Sequence, residues 1–160
     1  MKKINPEHTK SVIEMVNKAP YLSLLSMKII ELDYGYCKVE TGLNDKLNNP
    51  FGSVHGGVFS SILDTVTFWA LYCSIDESDG FTTIDLQVNN LGAINSGKII
   101  AEGRQIKFGR TICLAEGTLK DENGKLLAHG TSKILVTRGL QSISQAVDKA
   151  GTKSLPPKFL

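Results

Sequence analysis

The chain has 160 residues with 18 basic and 16 acidic side chains, a formal charge of +2, so neither a nucleic-acid surface nor a polybasic membrane anchor is expected. That length suits one domain whose core needs no disulfide or metal. Cys37, Cys73 and Cys113 are odd in number and lie in apolar stretches, which predicts reduced core thiols in a cytoplasmic protein.

The opening residues up to His8 have no apolar run, so no signal peptide is expected. Asn5-Pro6-Glu7 reads as a helix start, with proline pre-set for the first turn and an acid near the positive end. The helix should run to about Asn17, with Val12, Ile13 and Val16 as its apolar edge. Ala19-Pro20 breaks it, and Tyr21 to Leu25 is a second short apolar piece. Lys28 to Leu32 and Tyr36 to Glu40 are strand-like runs flanking Asp33-Tyr34-Gly35, a hairpin signal. Leu43 to Ser53 is an irregular loop rich in Asn, Asp, Pro and Gly, of the kind that often carries function.

From Gly56 to Ile75 the chain is apolar nearly all round at helical spacing, which predicts a helix wrapped by other structure. Asp64 is the only ionisable acid or base in this segment. It shares a strip with Ser60, Ser61, Thr67 and Phe68, so its carboxylate faces either hydroxyls or a cavity. A buried carboxylate is costly unless it is paired, hydrogen-bonded or kept for chemistry. His55-Gly56-Gly57 would bring the backbone close at the helix start, where unpaired amides and the dipole's positive end can hold a carbonyl oxygen gaining charge. Asp64 is eight residues past Gly56, roughly 12 Å along a helix. One small reacting group cannot touch both within a single chain, so a site using both must draw on two chains related by a twofold axis. A membrane span is not expected here, because Asp64 and five hydroxyl residues interrupt the segment and no basic flank borders it.

Asp76 to Gly80 is a polar turn. Thr82 to Val88 alternates, with Ile84, Leu86 and Val88 on one face and Thr83, Asp85 and Gln87 on the other, as in a half-buried strand. Lys98 to Phe108 and Thr111 to Lys120 are strands around Gly109-Arg110, and Asp121 to Gly124 is a hairpin turn into Leu126 to Thr137. The pattern gives an α+β fold, one helix laid across a curved antiparallel sheet, over residues 1–137. The tail, 138–160, carries Leu140, Ile143 and Val147 at helical spacing and either docks weakly or is disordered.

Asn49, Gly52, His55-Gly56-Gly57 and Asp64, followed by Thr82 to Leu86 and by Gly109-Arg110-Thr111, resemble the hotdog-fold acyl-CoA thioesterases of the phenylacetate-degradation type. The resemblance implies a hotdog fold, a homodimer that often pairs into a homotetramer, and an acyl-CoA substrate, with no cofactor because CoA is part of that substrate. It implies that Asp64 is the catalytic carboxylate, as general base or as nucleophile. Asn49 and the Gly56 amide would meet the thioester oxygen from the opposite chain, and Thr83 would orient water. Gly57 and Thr111 would touch substrate. Where many members carry an arginine-containing segment after the strand, this chain has Asn90-Leu91-Gly92-Ala93, which leaves Lys107 and Arg110 as the basic candidates for the nucleotide phosphates. His55 either touches substrate or fixes its loop, and Phe51, Phe59, Phe68 and Trp69 are candidates for an acyl pocket as well as for the core. A hotdog hydratase or dehydratase, with His55 as second acid or base, and a noncatalytic acyl-CoA sensor are the alternatives. His8 and His129 have no carboxylate or thiol companions at ligand spacing, so no metal site is expected.

Overall fold

The computed structural model describes residues 2–160. Helix α1 spans Pro6–Val16, started by the Asn5 side chain, which accepts from the Glu7 amide at 3.1 Å. Asn17, just past its end, clamps the first strand by both donating to and accepting from the Ile29 backbone, at 2.9 and 2.8 Å. The short α2 spans Pro20–Leu24.

Six strands follow: β1 Met27–Asp33, β2 Tyr36–Gly42, β3 Asp79–Asn90, β4 Lys98–Lys107, β5 Ile112–Asp121 and β6 Leu126–Arg138. They form one antiparallel sheet in the order β1-β2-β4-β5-β6-β3, which leaves β3 at an edge. The sheet bends where the register slips at Ile30, Ile84 and Ile106, and these three isoleucines point outward, 44%, 51% and 50% exposed. A bulge adds one unpaired residue and a local twist, and it resets the two-residue alternation. The expected inward face of Ile84, Leu86 and Val88 is therefore corrected: Leu86 and Val88 pack on the core and Ile84 does not.

Helix α3, Gly56–Ala70, lies across the concave face, with Ile62, Leu63, Val66 and Ala70 fully buried. It stops short of the expected Ile75, tightening into a 3₁₀ turn over Tyr72–Ser74. What lets it sit so close is a row of glycines. Gly103, Gly117 and Gly130 are register partners on β4, β5 and β6. A methyl at Gly103 would stand 2.2 Å from the Val66 carbonyl oxygen, and one at Gly117 would stand 3.0 Å from Leu63.

The tail docks, and firmly. Helix α4, Ile143–Ala150, is followed by an extended strap that returns to α1, where Asn5 N–H donates to Lys158 O and Leu160 N–H to Lys3 O. Lys158 is 1% exposed, with its Nζ donating to the carbonyls of Tyr72 at 2.7 Å and Ile75 at 2.5 Å and lying 4.3 Å from the Tyr72 ring. The ammonium thus ties together two carbonyls of the turn in which α3 runs out. Buried His8 links the same parts through Pro156 O and the Tyr72 hydroxyl, both at 2.6 Å. Cys37, Cys73 and Cys113 are buried and unpaired, and burial pushes all three thiols up, Cys73 to about 12. No helix is long and apolar enough to cross a membrane among the described residues.

Candidate active site

Asp64 lies at mid-helix on α3, and its Oδ1 is buried with no hydrogen-bond partner among the described residues. The neighbouring hydroxyls do not serve it. Ser60 donates to Gly56 O, Ser61 to Gly57 O, Thr65 to Ser61 O and Thr67 to Leu63 O, each turned back onto its own helix. Of the two surroundings the sequence left open for this carboxylate, the hydroxyl cluster is therefore removed. Across from it, β3 brings buried Phe81 against Phe68, with ring centroids 5.8 Å apart. Thr83, two residues on from Phe81 and ahead of the bulge, falls on the same helix-facing side and is half-buried.

The start of α3 is built by the preceding loop. His55 N–H donates to Leu47 O at 2.8 Å and Val54 N–H to Ile94 O at 2.9 Å, which pins the approach. The His55 side chain is the helix cap: its Nδ1 accepts from the Gly57 amide at 2.8 Å. That bond fixes the neutral tautomer with the proton on Nε2, so the exposed edge of the ring is a donor. The Gly57 amide is consumed by the cap, and the Gly56 amide is left with no partner among the described residues.

Asn49 is committed to its own loop. Its Oδ1 accepts from Phe51 N at 2.9 Å and Ser53 N at 3.3 Å, and its Nδ2 donates to the Ser53 hydroxyl at 3.1 Å. One Nδ2 hydrogen remains for another acceptor. The sequence reading passed over Asn90 as a residue of the site: a methyl placed on Gly56 would lie 3.0 Å from its Nδ2, so the last residue of β3 rests on the helix start. The signal was the departure from the arginine-containing segment, whose position only the fold reveals.

Lys107, Arg110 and Thr111 are exposed around the β4–β5 turn. Phe108 beside them meets Phe81 edge to face, 6.2 Å between centroids, which puts this turn near the start of β3, whereas Gly56 sits at its end. Nine residues of strand separate Phe81 from Asn90, about 30 Å. A single chain thus gathers Asn49, His55, Gly56, Gly57 and Asn90 at one end, Asp64 and Thr83 in the middle, and the basic turn at the other. Of the aromatic candidates, Phe59 is core, 2% exposed, and Phe51 is 94% exposed at the loop tip. Phe68 and Trp69 line a cleft. His129 meets Glu116 at 3.2 Å on the sheet, away from these groups.

The Thioesterase superfamily profile matches residues 51–128. The 1,4-dihydroxy-2-naphthoyl-CoA hydrolase of Listeria monocytogenes is 24% identical over 71% of this chain and 93% of its own. Among solved structures, a thioesterase of Haemophilus influenzae superposes with a TM-score of 0.78 over 88% of this chain and 98% of its own, at 21% identity. A phenylacetic acid degradation-related protein of Ralstonia eutropha JMP134 gives a TM-score of 0.69 over 78% and 97%, at 25% identity. The wrapped helix, the curved six-stranded sheet and these neighbours agree on a hotdog fold, within which residues 51–128 carry the match to the Thioesterase superfamily.

Proposed function

We propose that the protein hydrolyses acyl-CoA thioesters to a free carboxylic acid and CoA, with each active site shared between two chains of a homodimer. The observation that carries the reading is Asp64: a single carboxylate in a buried helix, with an oxygen that nothing among the described residues satisfies. An unpaired buried acceptor is retained against its desolvation cost where chemistry uses it. Its oxygen takes a proton from water as general base, or attacks the thioester carbon itself, and Thr83 orients the water. As the carbonyl oxygen gains charge, the free Gly56 amide at the partner's helix start donates a hydrogen bond to it, aided by the dipole. Asn49 holds the loop that presents this amide and offers its remaining Nδ2 hydrogen.

The arrangement along β3 supports the two-chain reading. Antiparallel pairing of two α3 helices about a twofold axis sets one chain's Gly56 beside the other's Asp64 and brings the basic turn to the same side. Lys107 and Arg110 then meet the CoA phosphates and Thr111 the adjoining backbone. His55 acts in support: its Nδ1 is spent on the cap, leaving only a donor, which deprives a hydratase of its second base. Paired dimers as a homotetramer and a cytoplasmic setting, where thiols stay reduced, complete the proposal.

The test is Asp64→Asn, which keeps the shape and removes the base or nucleophile. Turnover of acyl-CoA, read as released thiol, should fall by about 10²-fold or more with the melting temperature preserved. Near-normal turnover in a folded variant overturns the assignment, and CoA binding without thiol release in the wild type marks a sensor instead.

A further inference from the structure

Beside the candidate site lies a cleft of about 720 Å³ that the chemistry above does not use. Its floor is Phe68 and Trp69 from the end of α3 and Tyr72 from the 3₁₀ turn after it, with Phe81 from β3, and its roof is α4, through Ile143 and Ala146. Phe68 is four residues past Asp64 on α3 and Phe81 two residues before Thr83 on β3. Both elements therefore carry the cleft the same distance from the reacting groups, about 6 Å by helical rise and about 7 Å by strand rise. Asp79, the buried acid of its wall, is neutralised by Arg138 Nη1 at 2.5 Å. The lining follows α4 from Ser142 to Lys149, an elongated shape of roughly 10 Å. A single aromatic ring fills a cavity of about 150 Å³, a small part of this one.

Building on the hydrolase reading, we propose that this cleft holds the acyl group, and that α4, which lies outside the segment matched by the superfamily profile, makes the enzyme selective for medium- and long-chain aliphatic acyl groups. The thioester sits at Asp64, the chain passes over Phe68, and its methylenes lie between the aromatic floor and α4. Burying each methylene is worth about fourfold in binding. The wild type should therefore prefer dodecanoyl-CoA to hexanoyl-CoA, and hexanoyl-CoA to acetyl-CoA or phenylacetyl-CoA, in kcat/KM.

The experiment measures kcat/KM for these four substrates in the wild type, in Ala146→Trp, which plugs the cleft from α4, and in Ala146→Leu as a milder plug should the first not fold. The ratio of dodecanoyl-CoA to acetyl-CoA should fall at least tenfold with tryptophan and less with leucine. An unchanged ratio in a folded variant, or a wild type that prefers acetyl-CoA or phenylacetyl-CoA, overturns the acyl cleft while leaving the hydrolase reading intact. A wild type that releases thiol from none of the four contradicts the hydrolase reading itself, and the cleft's assignment with it.

Discussion

Gly103→Ala tests whether the closeness of α3 to the sheet matters to both stability and chemistry. The new methyl would stand 2.2 Å from Val66 O, where a comfortable carbon–oxygen contact is about 3.3 Å, so helix or strand must retreat by roughly 1 Å. Overpacking of this kind costs about 1–3 kcal/mol, and the obstacle here is backbone, which cannot swing aside. The loss of chain entropy in the unfolded state offsets less than about 1 kcal/mol of that. For a chain of this size the melting temperature should drop by roughly 3–10 °C in a circular-dichroism melt. Val66 is two residues past Asp64, so the same retreat misplaces the carboxylate, and thiol release should fall by up to about 10²-fold. Gly117→Ala is the internal comparison: its methyl meets only side-chain tips, at 3.0–3.3 Å, and should cost less on both readouts. A Gly103→Ala protein that melts and turns over like the wild type would refute the argument that the glycine row seats the helix.

Burial lowers the Lys158 ammonium to about 8, so between pH 8 and 10 the unfolded chain holds more protons than the folded one and stability rises with pH. Relative to Lys158→Met, which does not titrate, the wild type should gain about 2 kcal/mol between pH 7.5 and 9.5 in denaturant melts, and a flat or falling difference contradicts the buried lysine. Lys107→Ala and Arg110→Ala should each raise KM for acyl-CoA severalfold with little change in kcat, and the effect should shrink as salt is added. An unchanged KM at low salt would return both residues to the role of a solvated turn.

Much of the fold follows from local pattern. The capped α1, the Gly56 helix and the Asp121–Gly124 turn are written in residues whose partners are close in sequence; Asp121 Oδ1, for example, accepts from Asn123 N and Lys125 N. What escaped reading depends on register. Gly103, Gly117 and Gly130 become a row only when three strands align, and Ile84 turns outward because a bulge resets the alternation. Lys158 reads as a wet side chain in a polar tail until the carbonyls of Tyr72 and Ile75 arrive from far away in sequence. In the candidate site, Asp64 stood out as the one charge in an apolar helix, whereas the spending of Gly57 and Asn49 on loop and cap is invisible without coordinates.

The shared site is tested most directly by mixing two inactive proteins. Asn49→Ala should disable the helix start that one chain presents, and Asp64→Asn the carboxylate of the other. Unfolded and refolded together, about half the dimers are mixed, each with one site bearing both defects and one bearing neither, so activity should recover to about a quarter of wild type. No recovery, with mixed dimers confirmed by mass spectrometry, would mean that both groups act within one chain and that the distance from Gly56 to Asp64 does not divide the site.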